Sequence, residues 1–213
     1  MFGKHATKIA RFGLIGGIMF CVGAQLATAQ QMAMHAPPAG AETTPPIGWV
    51  EFCERSGREC MVEALPAEII PLDETSWREI VRINAAVNRE ITPVTDMENH
   101  GVIELWSYPT DGKGDCEDFV LEKRKRLMRA GFPRQALLIT VVRDNKGDGH
   151  AVLTVKTDHG DFILDNQASK VLAWHETGYR FIKRQSQETP NRWVSLGGID
   201  TATVAVSRRP RMR

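Results

Sequence analysis

Gly114-Asp115-Cys116-Glu117-Asp118 is the stretch of sequence that decides the predicted fold, because it opens a helical pattern that runs to about Arg129. The first turn of a helix has unpaired backbone N–H groups and the positive end of the helix dipole. Both favour a thiolate, the form of cysteine that acts as a nucleophile. Cys116 is therefore a candidate nucleophile, and the rest of the chain has to supply its partners.

The composition is typical of a soluble globular domain. The chain has 213 residues, a formal net charge of +1, 42% hydrophobic residues and 25% charged residues. This length and composition predict one domain with a substantial core. A net charge near zero offers no general attraction for phosphates, so we expect no nucleic-acid partner.

The N-terminus has the pattern of an export signal. Basic residues precede the apolar run 12–26, and Ala27-Thr28-Ala29 is the small-residue pattern preferred before a cleavage site. The alternative is an uncleaved membrane anchor, but the apolar run is shorter than the roughly 20 residues that span a bilayer. We predict a signal peptide at 1–29, a periplasmic mature chain and no stable membrane insertion after cleavage.

The mature chain divides into three predicted parts. Residues 30–46 contain four prolines and little apolar surface to bury, which indicates a flexible lead-in. We predict the folded domain at 47–206. The arginine-rich residues 207–213 are typical of a disordered basic tail.

Three cysteines remain after signal cleavage. Cys53 and Cys60 are joined by a polar loop that contains glycine, and an oxidising compartment favours a disulfide between them. The alternatives are two reduced structural cysteines or a metal site, although two cysteines without nearby histidines make a poor zinc site. Cys116 is then left as an unpaired thiol, which in an exported protein suggests reactivity.

Helical and strand patterns alternate along the folded part. Asp73 is a predicted cap for a helix at 77–90. Residues 91–114 are rich in glycine and proline and predict a long irregular segment, which in a compact domain is more often functional than idle. In the helix that begins at Cys116, we predict a buried apolar side and a solvated basic face. The basic side chains are Lys123, Arg124, Lys125, Arg126 and Arg129.

A predicted hairpin supplies the partners of Cys116. If residues 157 and 160 close the turn between its strands, Asp165 becomes a diagonal neighbour of His150 on the same face. A nucleophilic cysteine needs such a base and a group that orients it. Taken singly, each residue has a structural alternative: Cys116 in the core, and His150 and Asp165 as polar groups at strand ends.

These residues carry a resemblance to a known family. The blocks Gly114–Phe119, His150–Leu153 and Phe162–Asn166 are similar, in order and spacing, to the Cys, His and Asp blocks of the bacterial transglutaminase-like cysteine proteinases. The similarity extends from about Val87 to Ile182, and the family includes periplasmic proteases that release a biofilm adhesin. It implies a papain-like, transglutaminase-like α+β fold, in which the nucleophile's helix packs against an antiparallel sheet.

The resemblance also implies roles. Cys116 would be the nucleophile, His150 the general base and then acid, and Asp165 the residue that orients the imidazole. No cofactor is expected for the chemistry. We predict an oxyanion site at the helix start with a contribution from Trp106, and a protein substrate that in this family can be a cell-surface adhesin.

The acidic neighbours of Cys116 oppose its thiolate, because three carboxylates disfavour another anion nearby. A bound cation would relieve that conflict, and calcium prefers carboxylate oxygens. The adhesin-cleaving relatives use calcium with acidic residues that match Asp115 and Glu117. Helix capping without a metal is the alternative for these residues.

Two other functions remain open at this point. The same three residues could pass the acyl group to an amine, giving transglutaminase or amidase activity. A periplasmic binding module with a vestigial triad is the non-enzymatic alternative.

Overall fold

The computed structural model describes residues 34–197. The predicted signal peptide at 1–29 and basic tail at 207–213 lie outside the described residues. The described helices are α1 (Ile47–Arg55), α2 (Gly57–Cys60), α3 (Glu74–Glu90), α4 (Asp96–His100) and α5 (Cys116–Arg129). The strands are β1 (Ala39–Thr43), β2 (Thr92–Pro93), β3 (Lys113–Gly114), β4 (Leu137–Arg143), β5 (Gly149–Thr157), β6 (Gly160–Leu164), β7 (Leu172–Ala173), β8 (Arg180–Gln185) and β9 (Trp193–Leu196).

Local sequence explains where the two long helices begin. At the start of α3, the Asp73 side chain accepts a hydrogen bond from the Ser76 N–H at 2.7 Å. The Asp73 N–H donates in return to Ser76 Oγ at 2.9 Å, which completes a capping box. Helix α5 begins at Cys116 after Asp115, in agreement with the predicted start and with the predicted end near Arg129.

A seven-stranded sheet forms the other half of the domain, with strand order β1-β9-β8-β4-β5-β6-β7 and antiparallel pairing throughout. In the β5–β6 hairpin, Thr157 pairs with Gly160 and Leu153 with Leu164. This is the register predicted for the hairpin. The mixed helix and antiparallel-sheet architecture confirms the α+β prediction.

The main core lies between the helices and one face of the sheet. It includes Trp49 and Phe52 of α1, Phe119 of α5 and Trp193 of β9, all of which are almost completely buried. Because α5 packs across β5 and against α3, the start of α5 lies beside the start of β5.

The predicted solvated face of α5 is partly wrong. Lys123 is 0% exposed and Arg124 is 2% exposed, since α3 and the sheet enclose this part of the helix. Arg124 Nε donates to the Leu137 carbonyl at 3.2 Å. The Lys123 ammonium has no hydrogen-bond partner among the described residues and lies 5.8 Å from the centre of the Phe119 ring.

The predicted flexible lead-in at 30–46 is wrong for its described part, so the fold begins before residue 47. Strand β1 pairs antiparallel with β9, which places residues 39–43 at the edge of the sheet. Just before it, the Ala36 N–H donates to Asp161 Oδ2 at 3.1 Å, and His35 Nδ1 lies 3.0 Å from Asp161 Oδ1. The proline-rich composition did not reveal this strand, because the strand is stabilised by pairing with residues that are distant in the chain.

The predicted disulfide between Cys53 and Cys60 is present, with an S–S distance of 2.04 Å and a Cα–Cα distance of 5.6 Å. It joins the end of α1 to the end of α2. Within residues 34–197, none of the helices has the length and apolar character needed to cross a bilayer.

Candidate active site

Cys116 lies at the first position of α5 and is half-buried. Its Sγ accepts a hydrogen bond from the Ala151 N–H at 3.4 Å, which connects the helix start to β5. The thiol also donates to Glu117 Oε2, with Sγ and Oε2 3.2 Å apart. Cys116 is the free cysteine of the described residues.

The hairpin register brings His150 and Asp165 together. His150 Nε2 lies 2.8 Å from Asp165 Oδ1, and the side chains are 2% and 3% exposed. Because Nε2 faces this carboxylate, it carries the proton in the neutral ring, and Nδ1 is left as the basic nitrogen.

One pocket of about 280 Å³ contains both Cys116 and His150 in its lining. Its other lining residues are Pro93, Val94, Thr95, Glu98, Asp115, Gly149, Asn166 and Gln167. The helix start, the start of β5 and the segment after β6 therefore open onto a common space.

The sequence analysis missed three residues that hold Asp165 and His150. Tyr179 donates from its hydroxyl to Asp165 Oδ2 at 2.6 Å, and the Gln167 N–H donates to Oδ1 at 2.9 Å. Asn88 Nδ2 donates to the Asp165 carbonyl at 2.8 Å. All three residues lie inside the resembling region, which is the signal that could have pointed to them, although no sequence pattern links Tyr179 to Asp165.

Hydrogen bonds favour the charged form of the Asp165 carboxylate. Burial alone would raise its pKa, but the hydrogen bonds from His150, Tyr179 and the Gln167 N–H together hold that pKa below its ordinary value. Asp165 is therefore an anion at neutral pH and can stabilise a protonated His150.

An acidic cluster lies on the other side of Cys116. Asp96, Asp115 and Glu117 each offer an oxygen atom, and these atoms all lie within 4.8 Å of one another. Asp115 Oδ1 and Glu117 Oε1 are buried without a hydrogen-bond partner among the described residues. Buried carboxylate oxygens without donors are unfavourable, and a hard divalent cation is the kind of partner that satisfies them.

Burial and the acidic cluster together favour the protonated thiol. Burial, followed by the Glu117 carboxylate, raises the pKa of Cys116 well above its ordinary value. Burial and the neighbouring Asp115 likewise raise the pKa of Glu117. The conflict expected from the sequence is therefore present, and the helix start alone does not overcome it.

The position of the Asp118 side chain requires a glycine at residue 114, two residues before Cys116. Its Oδ1 accepts from the Ser107 N–H at 2.7 Å, and burial raises its pKa to about 7. A Cβ at position 114 would lie 2.6 Å from Asp118 Oδ2, closer than atoms can approach. Gly114 therefore allows β3 to pass directly over the first turn of α5.

Trp106 does not line the pocket that contains Cys116. Its ring packs in the core against Trp49, and its indole N–H donates to Glu104 Oε1 at 2.6 Å. The indole N–H is therefore engaged with Glu104, and a contribution from another group of the Trp106 loop to the oxyanion site stays a prediction. Its neighbour Leu105 donates from its N–H to Asp96 Oδ2, so this loop supports the acidic cluster instead.

A cysteine at a helix start, beside a buried His–Asp pair on an antiparallel sheet, is the arrangement of the papain-like class of cysteine peptidases. The sequence supports the same class. The model of the bacterial transglutaminase-like cysteine proteinases (BTLCP) matches residues 39–201, and the chain belongs to this family. No curated protein matches the sequence significantly.

Solved structures of LapG from Legionella pneumophila are similar to the chain. One is 25% identical, covers 56% of this chain and 68% of LapG, and has a TM-score of 0.48. The EGTA-treated form has 25% identity, coverages of 58% and 68%, and a TM-score of 0.49. The calcium-bound form has 23% identity, coverages of 62% and 75%, and a TM-score of 0.49.

Proposed function

We propose that the protein is an exported periplasmic cysteine peptidase that cleaves a protein substrate through Cys116, His150 and Asp165. The observation that carries this proposal is the buried His150–Asp165 pair, whose histidine lines the same pocket as Cys116. Membership of a cysteine proteinase family supports the reaction class.

The proton path follows from the hydrogen bonds of His150. Asp165 accepts from Nε2, so Nδ1 is the nitrogen that receives the Cys116 proton. The resulting thiolate attacks the scissile carbonyl carbon, and the carbonyl oxygen becomes an oxyanion. Backbone N–H groups at the start of α5 stabilise that oxyanion.

His150 then returns its proton to the leaving amine, and the C–N bond breaks to give a thioester on Cys116. A water molecule loses a proton to Nδ1 and attacks the thioester carbonyl. Cleavage of the C–S bond releases the carboxylic acid and regenerates the thiol. Asp165 remains an anion throughout and stabilises the imidazolium.

We also propose that the acidic cluster binds calcium. Asp96, Asp115 and Glu117 would hold the ion, and two of their buried oxygens have no hydrogen-bond partner within residues 34–197. The bound charge would offset the carboxylates that oppose the Cys116 thiolate. The same ion would draw the Glu117 carboxylate away from the thiol and leave Sγ to His150.

The substrate in this proposal is a cell-surface protein that enters the periplasm, such as an adhesin. Export rests on the predicted signal peptide, and the adhesin rests on the family resemblance. Comparing the proteins released from cells with Cys116 and from cells with Cys116→Ala would identify the substrate.

The direct test of the activity is Cys116→Ala in purified protein. Cleavage of the substrate so identified is expected to stop, while the melting temperature stays close to that of the wild type. Residual cleavage at the wild-type rate would end the proposal. Product masses with and without an added amine separate hydrolysis from acyl transfer.

A further inference from the structure

The Asp165 carboxylate accepts hydrogen bonds on both of its oxygens, and one of the donors is Tyr179. His150 and the Gln167 N–H share Oδ1, at 2.8 Å and 2.9 Å. Oδ2 accepts from the Tyr179 hydroxyl at 2.6 Å. Asp165 is only 3% exposed, so water cannot readily replace that hydroxyl.

The segment that carries Tyr179 is itself fixed. The Tyr179 N–H donates to Thr177 Oγ1 at 3.2 Å, and Asn145 Nδ2 donates to the Thr177 carbonyl at 3.2 Å. Gly178, between them, has a φ of 71°, and a Cβ there would lie 2.8 Å from Asn145 Oδ1. The hydroxyl is therefore presented from a defined loop just before β8.

Tyr179 also contacts the base directly. Its ring meets the His150 ring edge to face, with the ring centres 6.0 Å apart and the planes at 87°. The same side chain thus limits rotation of the imidazole and of the carboxylate that orients it.

We propose that Tyr179 is a positioning residue for the Cys116–His150–Asp165 site, an inference that rests on the proposed function. Its hydroxyl fixes the plane of the Asp165 carboxylate so that Oδ1 points at His150 Nε2. Without it, Oδ2 is a buried acceptor without a donor, and the carboxylate rotates to find one. His150 Nδ1 lies 3.4 Å from Gln167 Nε2 in the pocket that Cys116 also lines, and a rotated carboxylate leaves it less well placed to take the thiol proton.

The test is the rate at which iodoacetamide alkylates Cys116, followed by peptide mass spectrometry between pH 5 and pH 9 with calcium present. Tyr179→Phe removes the hydroxyl and keeps the ring. The alkylation rate at pH 7 is expected to fall roughly tenfold, the size of a lost hydrogen bond to a buried charge. The melting temperature measures any loss of folding separately.

Tyr108→Phe is the matched control, because the chain has only two tyrosines. Tyr108 packs against Phe52 and does not line the pocket with Cys116. Its variant is expected to alkylate at the wild-type rate.

The Asp165→Asn background distinguishes positioning from a general structural role. If Tyr179 acts through the Asp165 carboxylate, adding Tyr179→Phe to Asp165→Asn lowers the rate by less than about twofold. An equal loss in both backgrounds, or an unchanged rate in Tyr179→Phe alone, would overturn the proposal.

Gly178→Ala is the second variant if Tyr179→Phe fails to fold. It displaces the loop while keeping the hydroxyl, and slower alkylation is expected; a wild-type rate would count against Tyr179. Alkylation needs no peptide substrate. A protein that alkylates normally but cleaves nothing would contradict the proposed peptidase and leave this test valid.

Discussion

Carboxylates lie on both sides of Cys116, and the two sides differ in how their oxygens are partnered. On the hairpin side, Asp165 receives hydrogen bonds from His150, the Gln167 N–H and Tyr179. On the acidic side, Asp115 Oδ1 and Glu117 Oε1 are buried without a hydrogen-bond donor among residues 34–197.

The difference shows how the same chemical group can help or hinder a nucleophile. A carboxylate whose oxygens are fully bonded by the protein is a stable anion that orients a base. Burial, together with the neighbouring carboxylate in each case, raises the pKa of Glu117 and that of the Cys116 thiol. The hairpin side is complete as folded, whereas the proposed calcium would complete the acidic side.

The largest expected effect, on activity, comes from a substitution of Asp165, whose carboxylate has hydrogen-bond donors on both oxygens. Asp165→Asn keeps the shape of the side chain but removes the charge that stabilises protonated His150. We expect kcat/KM for the natural substrate to fall about a thousandfold, because the amide also favours the wrong imidazole tautomer. Steady-state cleavage kinetics measure this loss.

A second His–Asp contact provides the matched control for that variant. His159 Nδ1 lies 2.7 Å from Asp158 Oδ1 at the exposed hairpin tip. Asp158→Asn removes a charge from a similar pair that does not line the pocket. Its kcat/KM should stay within about twofold of the wild type; a comparable thousandfold loss would mean that the two pairs do not differ in function.

An intermediate effect, on stability, is expected when calcium binds to the acidic cluster of Asp96, Asp115 and Glu117. Calcium at 100 times its dissociation constant should stabilise the fold by about 2.7 kcal/mol. For a domain of this size, that free energy raises the melting temperature by about 5–10 °C. Thermal melts with calcium and with EGTA measure the shift.

Glu117→Gln sharpens the same measurement. It should change the melting temperature in EGTA little, because burial raises the pKa of Glu117 to about 10 and keeps it neutral there, and it should abolish most of the calcium shift. Glu122→Gln is the control, since Glu122 lies on the same helix and pairs with Arg126. A full calcium shift in Glu117→Gln would exclude Glu117 as a ligand.

The last expected effect depends on pH and concerns Lys123, a buried cation on the same helix. Burial lowers the pKa of its ammonium to about 7, although Asp165 partly opposes the shift. The unfolded chain therefore binds more protons than the native one between about pH 7 and pH 10. In that window Lys123 makes stability rise with pH by about 1.4 kcal/mol per unit.

Lys123→Met removes that dependence. We expect the variant to be more stable than the wild type near pH 7, with an advantage that shrinks as the pH rises toward 10. Urea unfolding at several pH values measures the difference, and Lys125→Met, whose ammonium is partly exposed, is the control. A constant difference between variant and wild type would show that Lys123 is charged in the native state throughout.

Much of the site was predictable from local sequence. The start of α5 at Cys116 follows from an aspartate at the N-cap position and apolar periodicity, although the Asp115 side chain makes no capping hydrogen bond. The His150–Asp165 contact follows from strand alternation once the turn residues are known. The disulfide follows from short spacing. Each of these features depends on residues that are close in the chain or on a regular period.

The features that the sequence did not predict share a different cause. Residues 39–43 form a strand because β9 lies beside them, and Lys123 is buried because α3 covers α5. Tyr179 reaches Asp165 from a loop 14 residues away, and Trp106 turns into the core instead of toward Cys116. No local pattern encodes these positions, because they depend on which distant elements pack together.

The sequence by itself determined Cys116, His150 and Asp165 as candidates, their order along the chain and the elements that carry them, because periodicity and hairpin pairing are local physics. Only the tertiary structure decided which carboxylates are satisfied. Burial and hydrogen-bond donors come from remote segments: Tyr179 and Asn88 complete the Asp165 side, while the acidic cluster of Asp96, Asp115 and Glu117 is brought together with oxygens still unpaired.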